Sequence, residues 1–189
     1  MQILIKATRW VVTVVLLAIL PLPFGRLTVV AATPVQSEEN SDVARLLADA
    51  RDKAAILSRD ADELEALTRS NVSWESHAAM LDTIKGDVND LAHIVEQLNA
   101  ARSSASPWQQ QAIDRMIPLM KELASNTTAA INHLRDNQIR PNSGPYPEYL
   151  TENRETAHEL SDLISSFVQY GQARAKLEKL EQKLELASK

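Results

Sequence analysis

Two of the four histidines in this chain follow a carboxylate by three positions. Asp90-Leu-Ala-His93 and Glu155-Thr-Ala-His158 carry the i, i+3 spacing that sets an acid and an imidazole side by side on a helix. Di-iron carboxylate bundles repeat that pair on two helices and add one glutamate from each of the other two. The chemistry needs both pairs pointing inward at one height. His93 lies between apolar Leu91 and Val95, and His158 sits beside Ala157 rather than on the apolar repeat. At ~1.5 Å per residue, His93 is ~28 Å from the start of its helix and His158 ~15 Å from the start of its own. Those two starts share one end of a bundle, so the motifs miss each other by roughly 13 Å. The apolar repeats of the remaining two helices contain no acid. Neither a metal site nor a cofactor is expected, and both motifs read as solvated surface.

His77 differs, because it occupies a position in an apolar repeat. Its end of the chain's architecture also collects Thr68, His133 and Asn153. A buried polar cluster at a bundle end most often fixes register through hydrogen bonds. A ligand or metal role for His77, His133 and Asn153 is the sharper alternative. Nucleophilic chemistry finds no recognisable constellation: Gly-x-Ser-x-Gly, a Gly-rich phosphate loop and His-Glu-x-x-His are all missing, and there is no cysteine. No catalytic residue is expected, and the chain reads as a non-enzyme. Asn71-Val-Ser73 and Asn126-Thr-Thr128 match the glycosylation sequon. Ser73 also fits a helix cap and Asn126 falls inside a helix, so both read as structural or chance.

The elements that would hold these residues follow from spacing. Four glycines, 4% aromatic residues and abundant Ala, Leu, Glu and Lys favour helix. Val43, Leu47, Ala50, Ala54, Leu57, Ala61, Leu64 and Thr68 alternate steps of four and three, predicting a helix over about 42–69 capped by Ser41 or Asp42. Trp74, His77, Leu81, Ile84, Val88, Leu91, Val95 and Leu98 do the same over 74–102. Ser106-Pro107 opens a third helix to about 137, with Ala112, Met116, Leu119, Leu123, Ala130 and Leu134 as its seam and Pro118 as a local kink. The stretch RPNSGPYPEY (140–149) is read as loop, and a fourth helix runs over about 148–186. Its seam of Leu150, Ala157, Leu160, Ile164 and Phe167 shifts near Gly171 to Ala173, Leu177, Leu180 and Leu184. Strict heptads with short connections predict an all-α, antiparallel up-down-up-down four-helix bundle with a long, coiled-coil-like fourth helix.

That fourth helix outreaches its neighbours by about ten residues. With Leu177 and Leu184 at a and Leu180 at d, Lys176 and Lys183 fall at g and Glu181 at e. Within the helix these charges help little, since Lys179 and Lys183 are like charges four apart. Lys176, Leu177, Leu180, Glu181, Lys183 and Leu184 are therefore the candidate contact for a protein partner or for self-association. The alternative is that residues 35–41 fold back over this apolar edge.

Three further features carry two readings each. Trp74 and Trp108 lie in first turns at opposite ends, as core plugs or as contact surfaces. Gly86, Pro118 and Gly171 weaken helix interiors, as a soft mid-bundle waist or as three independent accommodations. The segment WQQQAIDR (108–115) resembles stretches of exported bacterial proteins, a likeness of a few residues that implies no function.

The N-terminus supplies a compartment. Lys6 and Arg9 precede an apolar run, Trp10 to Leu20, of signal-peptide length, with Val30-Ala31-Ala32 as a cleavage site. Residues 1–32 read as a signal peptide or, if uncleaved, a membrane anchor; 33–41 is a polar linker and 42–189 the bundle. Removing 1–32 takes three bases and no acid, leaving 17 bases against 25 acids and a net charge of −8. That balance argues against nucleic acid or anionic lipid as the partner. The expectation is a periplasmic or secreted bundle serving as an interaction or structural module in a bacterial envelope, touching membrane only through an uncleaved N-terminus. The alternative is a periplasmic small-molecule or metal-binding sensor or carrier using the bundle interior or the His77 end.

Overall fold

A computed structural model of the chain describes residues 39–70 and 72–187. The expected signal segment, residues 33–38 of the linker and Asn71 lie outside these. Four helices form: α1 (Ser41–Leu67), α2 (Trp74–Ala100), α3 (Pro107–Asp136) and α4 (Tyr146–Ala187). A 3-10 turn at Arg102–Ser104 links α2 to α3. Each helix packs on its chain neighbours, and α4 closes on α1. The result is an all-α four-helix bundle, and the heptad seams are its core. Val43, Leu47, Leu57 and Leu64 from α1 meet Leu81, Ile84, Leu91 and Leu98 from α2, with Ile113, Met116 and Leu123 from α3 and Leu150, Leu160 and Ile164 from α4.

Local chemistry sets the helix ends. Asn40, rather than Ser41 or Asp42, caps α1: its Oδ1 accepts from the backbone N–H groups of Asp42 at 3.0 Å and Val43 at 3.2 Å. The end of the linker is pinned, because buried Gln109 joins the starts of α1 and α3. Its Oε1 accepts from Ser106 N at 2.9 Å and Asn40 N at 3.2 Å, and its Nε2 donates to Asn40 O at 2.9 Å. Ser73 is the N-cap of α2 by position, with no side-chain capping bond. Pro118 stands on the exposed face of α3, and the helix runs through it to Asp136.

Helix α4 begins two residues earlier than its spacing predicts, at Tyr146 inside the proline-rich stretch. Pro147 fits there because a first-turn residue has no carbonyl to bond. Gly144 makes the turn before it with φ +57°. The core seam then runs through Ile164, Val168 and Gly171, so Phe167 is half-buried at the edge instead of in the seam. With 42 residues against 27 in α1, α4 is the longest helix. Every residue from Lys176 to Ala187 is exposed, a projection of twelve residues or ~18 Å.

Candidate functional site

The His77 end is built by three helix termini. His77 lies one turn into α2, His133 near the end of α3 and Tyr146 at the first position of α4. Tyr146 and His77 are wholly buried. The Tyr146 hydroxyl and His77 Nδ1 share a hydrogen bond of 3.1 Å. The His133 ring stacks on the phenol at 5.6 Å between centroids, and the His77 ring meets it edge-on at 5.5 Å. Burial pushes the His77 imidazole below its usual range and the Tyr146 phenol well above its own. His77 Nε2 and His133 Nε2 are buried and have no hydrogen-bond partner among the described residues. A Cβ at Gly144 would lie 3.4 Å from the His133 ring, so the turn closes directly over the cluster.

Two expected members sit elsewhere. Asn153 is one heptad deeper, ~10 Å along α4, where its Oδ1 accepts from Thr127 at 3.4 Å. Thr68 donates its hydroxyl to Glu65 O at 2.7 Å, and its own carbonyl accepts from Asn142 at 3.3 Å. It closes a loop instead of joining the histidines. Tyr146 was missed because three prolines and a glycine masked it, although stepping back four from Leu150 reaches it.

The two acid–histidine motifs separate as their phases require. His93 is exposed beside Glu96 at 3.6 Å. His158 is only half-exposed and clamps α4 to α1: Nδ1 lies 3.0 Å from Ser58 Oγ, and Nε2 lies 2.9 Å from Asp62 Oδ1. This chain has the residue types of a nucleophilic triad, and spacing alone could not show it, because Ser58 and His158 are 100 positions apart. Its setting is that of a clamp. Ser58 is buried in the middle of α1, where the helix's own hydrogen bonds consume the neighbouring backbone N–H groups. Among the described residues no three His, Asp or Glu side chains converge as metal ligands.

A second clamp joins α1 to α2. Asp60 is buried beside its helix's seam, held by Arg59 at 2.8 Å. Asp87 faces it, and its carboxyl is raised by burial, then by the Asp60 charge and a hydrogen bond to Asp60. Nearby, Lys53 pairs with Asp90 at 2.7 Å.

At the opposite end from His77, Trp108 is buried against α4. A Cβ at Gly171 would come within 2.7 Å of its Cη2. The indole also meets the Tyr170 ring edge-on at 5.6 Å. Trp108 is thus an end plug, and half-buried Trp74 packs on the core at the other end. Gly171 admits the indole, a Cβ at Gly86 would meet nothing within 4 Å and Pro118 faces outward. Each of the three positions thus has its own local setting. Beside Trp108, a groove of about 860 Å³ between α3 and α4 is lined by Arg115, Asp162, Phe167 and Tyr170. Arg115 lies over the Phe167 ring at 5.8 Å, already occupying that aromatic face.

Beyond Tyr170 comes the projection. Leu177, Leu180 and Leu184 are 57%, 48% and 72% exposed. Lys176, Glu181 and Lys183 flank them and make no ion pair among the described residues. Continuing the core seam from Gly171 would reach Ala175, Glu178 and Gln182, which are mostly polar. The leucine stripe starts two positions later, at Ala173, which is about 200° around the axis at ~100° per residue. The stripe therefore faces away from the bundle's own core. Glu39, the first described residue of the linker, has its carboxylate by Gly171, with a Cβ there falling 3.6 Å from Oε1.

Comparison with known proteins finds no matching family model, no matching curated protein and no matching solved structure. Among the described residues no helix is long and apolar enough to cross a membrane.

Proposed function

We propose that this chain is an exported, non-enzymatic helical bundle that docks a protein through the projecting end of α4. One observation carries the reading: a leucine stripe at heptad spacing leaves the bundle on the face opposite its core seam, with about half or more of each leucine exposed. Helices of globular proteins bury such a stripe. Among the described residues this stripe stays open to solvent, and a second chain is what would bury it on this reading. The clamps and polar layers serve cohesion on this reading: Gln109, the Ser58–His158–Asp62 array and His77–Tyr146 each tie two helices together. Export rests on the charge and apolar pattern of residues 1–32, and the acidic balance favours protein over nucleic acid or anionic lipid.

The test replaces Leu180 with a photo-crosslinking residue in intact cells. A discrete adduct is expected there and none from the same residue at His93, which is exposed on α2. Equal labelling at both positions, or at neither, removes the reading.

The alternative, a small-molecule or metal carrier, draws on the partnerless Nε2 atoms of His77 and His133. Metal content of the purified protein that is near zero, and unchanged by His77→Ala, ends its metal form.

A further inference from the structure

The outer face of α4 changes character once along its length. Exposed Glu148, Glu152, Glu155, Glu159 and Asp162 step by four and three residues along it. The same stepping continues through Ser166 to Tyr170 or Ala173, then Leu177, Leu180 and Leu184. One outward stripe is thus acidic beside the bundle and apolar beyond it. A ligand seated along the whole stripe would need two chemistries, but the apolar part alone matches a short two-stranded coiled coil.

We propose that the occupant of this stripe is a second copy of this chain, paired in parallel over residues 170–187. The inference rests on the docking reading above and names its partner. The argument is self-complementarity. In a parallel, in-register pair, a g residue lies beside the e residue of the next heptad on the other helix. Lys176 then meets Glu181 of the partner subunit, and Glu181 meets the partner's Lys176. Both charges lack favourable neighbours within α4: three or four positions away Lys176 finds Gln172, Ala173, Lys179 and Leu180, and Glu181 finds Leu177, Glu178, Leu184 and Glu185. An antiparallel pair would instead set Lys176 beside Lys183 of the partner subunit. The acidic part of the stripe sets the lower limit of contact. In parallel register Glu155, Glu159 and Asp162 would face their own copies, so the helices part below Tyr170 and the bundles splay. About two and a half heptads remain, which is weak in isolation. Monomer and dimer therefore exchange at roughly micromolar to millimolar concentration.

Sedimentation of the full chain across that range, with helicity checked by circular dichroism, tests the pairing. Lys176→Glu alone and Glu181→Lys alone should each weaken the dimer about tenfold by replacing two attractive pairs with two repulsive ones. An equimolar mixture of the two variants should regain the loss, since every cross-pair is again Lys–Glu. Tightening by Lys176→Glu would mean an antiparallel pair and overturn the proposal. Association surviving Leu177→Ser/Leu180→Ser/Leu184→Ser would place the contact elsewhere and overturn it too. A chain that stays monomeric while Leu180 crosslinks to a different protein overturns the second-copy inference and leaves the docking reading standing. Neither dimer nor crosslink removes both.

Discussion

The two glycines inside helices should respond to one substitution with opposite signs. Alanine is about 1 kcal/mol better than glycine in a helix interior. At Gly86 a new Cβ meets nothing within 4 Å, so Gly86→Ala should stabilise by about that amount. At Gly171 the Cβ would lie 2.7 Å from Trp108 Cη2 and 3.0 Å from Cζ2, where carbons prefer about 3.5–4.0 Å. The indole must retreat by roughly 1 Å, yet it is buried and held edge-on against Tyr170. Overpacking of this kind costs about 1–3 kcal/mol. Set against the propensity gain, Gly171→Ala should destabilise by about 1 kcal/mol. The two variants should then differ by about 2 kcal/mol, or roughly 4–8 °C in Tm for a chain of this size. Urea unfolding followed by circular dichroism and by tryptophan fluorescence measures it, with equal m-values confirming a change in stability alone. Trp108→Phe in the Gly171→Ala background should recover part of the loss, because the smaller ring vacates the clash. If Gly171→Ala stabilises as much as Gly86→Ala, the close seating of Trp108 on α4 is wrong, and with it the end of the core seam at Gly171.

Acidity should act on the two buried sites in opposite directions. Burial lowers the His77 value, so its stabilisation is present above the unfolded value of about 6.5 and is lost as pH falls through the folded one. Unfolding free energy measured from pH 7 to 5 should fall, less steeply in His77→Leu. Asp87 is raised, so its stabilisation is complete below the unfolded value of about 3.9 and is lost as pH rises through the folded one. Asp87→Asn, which keeps a donor for Asp60, should stabilise by about 1 kcal/mol at pH 7 and by nothing near pH 4. Tyr146→Phe leaves His77 Nδ1 without its partner and should cost about 1–2 kcal/mol in the same unfolding assay. At concentrations well below the dimer's dissociation range, deleting residues 176–189 should leave Tm unchanged, since residues 176–187 are exposed along their whole length. A drop of several degrees would mean the projection supports the core.

The four-helix order was legible because burying a seven-residue repeat on each of four segments joined by short loops leaves little freedom. The outward leucine stripe was legible in part, as a change of phase near Gly171. What spacing could not convey was that the core seam passes through Val168 and Gly171 and not Phe167, and only from that reference is the shift close to half a turn. The start of α4 was obscured because Pro145 and Pro147 signal a loop when read locally, while the buried phenol of Tyr146 and the first-turn tolerance for proline make a helix there.

Sequence alone determined which faces of α1 and α2 are buried, since apolar periodicity is a property of each segment by itself. It also determined that His93 points outward and His77 inward, for the same reason. Only tertiary structure decided which side chains meet: His158 with Ser58 and Asp62, Asp60 with Asp87, Tyr146 with both His77 and His133, and Trp108 with Gly171. Each of these contacts depends on the height and rotation of one helix against another. A heptad repeat leaves height free in steps of about 10 Å, and the packing of unequal side chains at the helix ends selects one step.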